Sequence, residues 1–105
     1  MIRAALILAL CASACISDAE PLVFTTTNGI RIQPADEAGD EWLHSHCVFH
    51  GMSAAESTGD VIAAAQQKHA NFAEPLSRST EERGFWTRVL AYDVAYFACT
   101  ERPPF

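Results

Sequence analysis

The segment His44-Ser45-His46-Cys47-Val48-Phe49-His50-Gly51-Met52 gathers three His, one Cys and one Met within nine residues. Each of these side chains offers a nitrogen or sulfur donor suited to copper, zinc or another borderline-to-soft metal. On a helix His46 and His50 are i, i+4, so one turn separates them and both can reach one ion. His44 points about 120° away from His50 on the same wheel and does not join them. Two ligands do not close a site, and a third would have to come from another helix or another chain. The simpler reading is a solvent-facing polar pair beside a disulfide.

The order Cys47-x-x-His50-x-Met52 is similar to the ligand loop of the cupredoxins. That family separates its His and Met by at least two residues and builds the site on a β-sandwich with a further His upstream. Residues 20–46 are too few to form that sandwich, so the cupredoxin fold is excluded.

Whether Cys47 is available at all depends on the N-terminus. Residues 1–19, MIRAALILALCASACISDA, hold Arg3, then an apolar run, then small residues. This is the layout of a secretory signal, and the apolar run is shorter than the about 20 residues a membrane span needs. Cleavage after Ala19 leaves residues 20–105 as one small domain. Ala12-Ser13-Ala14 before Cys15 is a second small-x-small site; it resembles a bacterial lipobox, with Cys15 as the lipidated residue. Export removes Cys11 and Cys15 from the folded domain and leaves Cys47 and Cys99, 52 residues apart. In an oxidising compartment two such cysteines read as one disulfide.

The elements that would position these residues read as a mainly α fold: a small three-helix domain with one disulfide, preceded by a short β-hairpin or extended arm. Residues 22–33, LVFTTTNGIRIQ, are strand-formers around Asn28-Gly29, a hairpin-turn pair. Helical spacing is read over residues 41–57, with Leu43, Cys47, Val48, Gly51, Ala54 and Ala55 on one side, although Gly51 weakens a helix. A second helix is read over residues 61–73 after Ser57-Thr58-Gly59-Asp60. A third is read over residues 79–99, where Ser79-Thr80-Glu81-Glu82 has the form of a capping box. On these wheels His69 and Asp93 lie on apolar faces and are candidates to pair. Trp42 and Phe49, i and i+7, form a stripe opposite Leu43 and Cys47 that would serve as a partner surface.

The chain carries a net charge of −6, which disfavours nucleic acid as a partner. Cys-x-x-Cys, His-Glu-x-x-His, P-loop and Gly-x-Ser-x-Gly motifs do not occur in it. These features lead to the expectation of a small exported non-enzymatic protein, periplasmic or secreted, that binds a protein partner as an accessory, inhibitor or immunity-like subunit. No cofactor is expected, and membrane contact only through a lipid on Cys15. A periplasmic copper- or zinc-binding protein using His46 and His50, and a periplasmic stress chaperone, are the alternatives.

Overall fold

The computed structural model describes residues 19–105. Their elements run β1 (Thr26–Thr27), β2 (Ile30–Ile32), α1 (Glu37–His46), β3 (Cys47–Ala55), α2 (Thr58–Gln67), β4 (Phe72–Arg83) and β5 (Trp86–Cys99). The strands form one sheet in the order β1-β2-β4-β5-β3. β2 runs parallel to β4, and the other neighbouring pairs are antiparallel. The expected three-helix domain is thus corrected to a mainly β domain with two helices. Residues 1–18, which include Cys15 and all of the expected signal segment but Ala19, lie outside the described residues.

The strand at the centre of the correction is β5. Its residues alternate between two cores, one on each face of the sheet. Val94 and Tyr96 pack with Ile30, Ile32, Ala73 and the α2 residues Val61 and Ala65. Ala95 and Phe97 pack with Phe72 and with Leu43 of α1. A strand buried on both faces reads as a continuous apolar run, and such a run cannot be told from a buried helix by periodicity. Trp86, Thr87, Val89, Tyr92, Val94, Tyr96 and Phe97 are β-branched or aromatic, which favours the strand.

The supposed helix start at residues 79–82 lies inside β4, and the reversal falls at Gly84-Phe85, between the paired residues Arg83 and Trp86. Gly84 has φ +64° and Phe85 a negative φ, the pattern of a type II′ hairpin turn, which takes glycine first. Between this turn and Tyr92, where β3 no longer flanks β5, β4 and β5 pair with each other as an arm, to which Ala19 adds one hydrogen bond, N–H to Val89 O at 2.8 Å. Phe85 at its apex is 100% exposed.

The helix read over residues 41–57 is half helix and half strand. α1 starts at the N-cap Asp36, whose side chain accepts from Gly39 N at 2.7 Å, and its first turn carries Glu37 and Asp40. It stops at His46, and Cys47 turns to extended backbone at φ −119°, ψ 160°. The second helix is shorter than read. It begins at the N-cap Ser57, which accepts from Asp60 N at 3.2 Å, and ends before His69, which adopts φ 57°. The Asn28-Gly29 turn joins β1 to β2, with φ 54° and 74° as a type I′ turn requires.

The C-terminal tail closes the α1 core. Phe105 packs edge-on against Phe72 and Trp42, with ring centroids 5.8 and 6.2 Å away. The Arg31 guanidinium lies over both Phe72 and Phe105 and donates to the Phe105 carbonyl. Among the described residues, no helix is long and apolar enough to cross a membrane.

Candidate functional site

Among the described residues β3 pairs with β5 on one side only, so its other side is an open sheet edge up to Glu56, whose carbonyl accepts from the Glu20 N–H at 2.9 Å. It is nine residues long, Cys-Val-Phe-His-Gly-Met-Ser-Ala-Ala, and contains no Asp, Glu, Lys, Arg or Pro. Charges and prolines on edge strands are the usual guards against pairing with another chain. Its large apolar side chains stand in water: Val48 is 63% exposed, Met52 52% and Phe49 47%.

The start of this edge is fixed by covalent chemistry. Cys47 and Cys99 face each other across β3 and β5 and are joined by a disulfide, with their Cα atoms 4.4 Å apart. That narrow spacing marks a non-hydrogen-bonded antiparallel pair. Phe49, two residues on and opposite Phe97, belongs to the same set, so its backbone N–H and C=O point away from β5 toward the open edge. Asn71 locks the other flank of β5: its side-chain amide donates to Cys99 O and its side-chain oxygen accepts from Cys99 N, both at 2.7 Å.

A bulge divides the edge. Between Phe49 and Met52 the register slips by one residue against β5, with Gly51 at φ +101°. There His50 Nδ1 donates to the Lys68 carbonyl at 2.5 Å, tying the bulge to the end of α2. The free backbone therefore comes in two short runs, one around Phe49 and one from Met52 to Ala55. A bulge of this kind re-aims side chains and limits how much strand an edge can add.

α1 covers the same face and brings a second feature. Glu74 of β4 is 2% exposed, lies under α1 and has no hydrogen-bond partner for Oε1. Its carboxyl pKa is raised to about 7, first by burial and then by the neighbouring Asp40 carboxyl, to which the protonated group donates. His44, one turn on from Asp40, sits 3.5 Å from the Asp40 carboxylate through Nε2. Its ring meets Phe97 edge-on at 5.1 Å and lies 6.2 Å from Phe49. A chain of contacts thus runs from the buried acid to the exposed edge. Sequence reading missed Glu74; the signal was a single carboxylate inside Phe72-Ala73-Glu74-Pro75-Leu76.

Other residues singled out from sequence are separated by the fold. The Trp42–Phe49 stripe does not form, because Trp42 is on α1 and Phe49 on β3. Trp42 belongs to the α1 core and stacks on His46 at 4.4 Å, whereas Phe49 remains at the surface, 5.5 Å from Phe97. The helical relation of His46 and His50 is likewise lost, since the chain becomes extended after His46 and four residues span about 13 Å. His46 Nδ1 donates to the Trp42 carbonyl at 3.0 Å. No three His, Cys, Asp or Glu side chains converge on a metal position among the described residues. His69 is exposed just beyond α2, while Asp93 lies on the α1 face and accepts from Ser77 Oγ at 3.0 Å, so these two do not pair.

Comparison with known protein families, with curated proteins and with solved structures finds no match.

Proposed function

We propose that this chain is an exported, non-enzymatic protein that binds a protein partner by accepting an extended segment at the open edge of β3. The observation that carries the reading is the edge itself: a charge-free strand with Val48, Phe49 and Met52 in water and the Phe49 backbone groups turned outward. Strand addition of this kind draws affinity from main-chain hydrogen bonds and selectivity from alternate side chains. The Cys47–Cys99 bond supports export, because such bonds persist in oxidising compartments. A partner-binding role also explains why the edge lacks the charged guards of a strand meant to stay unpaired.

The test is a comparison of variants in capture from the envelope fraction of the native cell. Met52→Lys and Phe49→Lys are each expected to weaken capture of one discrete partner by about 2 kcal/mol, roughly 30-fold, as for the loss of a central interface residue. Met52 is exposed, so its variant should keep the parent melting temperature. If both variants capture the partner as well as the parent, or if Phe85→Ser at the arm apex abolishes capture while they do not, the edge is not the binding site.

A further inference from the structure

The side chains along the α1 face of this edge define what an added strand must carry; the inference rests on the binding role proposed above. Residues directly opposite in an antiparallel pair share a face. Phe49 lies opposite Phe97, Met52 opposite Ala95 and Ala54 opposite Asp93, so Phe49, Met52 and Ala54 line one face in that order. Ala54 is exposed and ends at a methyl group, and Asp93 opposite it is half-buried. The Asp93 carboxylate is held in place by Ser77 Oγ at 3.0 Å. A residue on an added strand opposite Ala54 would stand two strand spacings from Asp93, about 10 Å between backbones, which a Lys or Arg side chain and an Asp side chain can bridge. At the other end His44 lies 6.2 Å from Phe49, with the Asp40 carboxylate 3.5 Å behind its Nε2.

The charge around the edge has one sign on this face. Asp40 and Glu41 of α1 precede β3, Asp93 lies beside it and Glu56 follows it, while Asp60 stands on the α2 side near Tyr96. Lys68 lies beside Gly51 and over the ring of Tyr96, whose packing is on the α2 face. An uncharged apolar strand bracketed by carboxylates selects against an acidic occupant and for a basic one. The same bracket argues against a second copy of this chain, because pairing two β3 edges would set Asp40 and Asp93 of one against those of the other and would align two bulged strands.

We infer that the occupant is an extended segment of a protein partner reading apolar-x-apolar-x-Lys/Arg, with the apolar residues beside Phe49 and Met52 and the cation over Ala54 on Asp93. The segment is short, because the bulge leaves only two brief runs of free backbone.

Fluorescence anisotropy with two labelled peptides tests this on the full chain. One is Lys-Thr-Val-Thr-Phe-Thr-Lys, readable in either strand direction; the other has Glu in place of both Lys. The Lys peptide is expected to bind at least about 10-fold more tightly at low salt, with the preference lost at high salt, where screening shortens to a few ångströms. Asp93→Asn should weaken the Lys peptide by about 5-fold. Ala54→Lys, at an exposed position that does not threaten folding, should remove the preference by occupying Asp93 from within. Equal binding of the two peptides, binding of neither, or a preference that survives both substitutions overturns the inference. Those results do not touch the protein-binding role, which stands or falls with Phe49 and Met52 in the capture comparison.

Discussion

Replacing Cys47 and Cys99 together by alanine should lower the stability of the domain by about 4 kcal/mol, from the loop entropy released when a link across 52 residues is removed. That is a large share of the roughly 5–15 kcal/mol available to a small domain. For a chain of this size it corresponds to a fall in melting temperature of about 15–30 °C, measurable by calorimetry. Reduction with dithiothreitol should give the same fall in the parent and no further fall in the double variant. The loss should be felt first at the edge. The disulfide joins the first residue of β3 to the last of β5, so Phe49, two residues on, loses the anchor that sets its register. Amide exchange at Val48, whose backbone groups face β5, should therefore quicken before that of β4. A double variant that melts within a few degrees of the parent would show that the sheet holds β3 without the bond.

The second large effect is set by pH. Glu74 titrates near 7 in the folded domain, displaced from its ordinary 4.5 first by burial and then by Asp40. Between these values the folded state keeps a proton that the unfolded state has released. The resulting stabilisation is full below pH 4.5, falls as pH rises through the window, and is gone above about pH 7. The shift corresponds to about 3 kcal/mol, an upper figure. Denaturant titrations from pH 5 to 8 should show this decline, on which the titration of other groups is superimposed. Glu74→Gln carries the neutral shape permanently and can still donate to Asp40. It should be more stable than the parent at pH 8 by about 1–3 kcal/mol and should lose the part of the slope that belongs to Glu74. The same stability slope in Glu74→Gln as in the parent would place the titrating group elsewhere.

What could be read from the sequence was the chemistry that stays local. Asn28-Gly29 needs two positive φ values wherever it stands, and it turns β1 into β2. The cysteine pair followed from counting, once the N-terminal segment was set apart. The strands after residue 46 depended on long-range pairing that spacing does not encode, whereas a helix at Ser57-Thr58-Gly59-Asp60 was legible from its cap chemistry. Residues 94–97 fill two cores at once, so the alternation that marks a strand vanished into an unbroken apolar run. Ser79-Thr80-Glu81-Glu82 has capping-box chemistry, yet a strand partner outweighs a capping interaction worth about 1 kcal/mol. Gly84-Phe85 was the overlooked signal, a glycine-first pair between two runs of similar length. His46 and His50 fell apart for the same reason as Trp42 and Phe49: each pair was joined by a helix that ends at His46. Phe49 kept its exposure for a different reason, as part of an edge strand whose lack of charge was visible in Cys47–Ala55 and went unread.

The most direct measurement is site-specific photo-crosslinking in the native cell, with p-benzoylphenylalanine placed in turn at Phe49, at Met52 and at Gln66, an exposed position on α2. If β3 receives a protein partner, positions 49 and 52 should yield the same single protein adduct and position 66 none. Failure to trap an adduct at 49 and 52, or the same adducts from 66, would contradict a binding role for the edge.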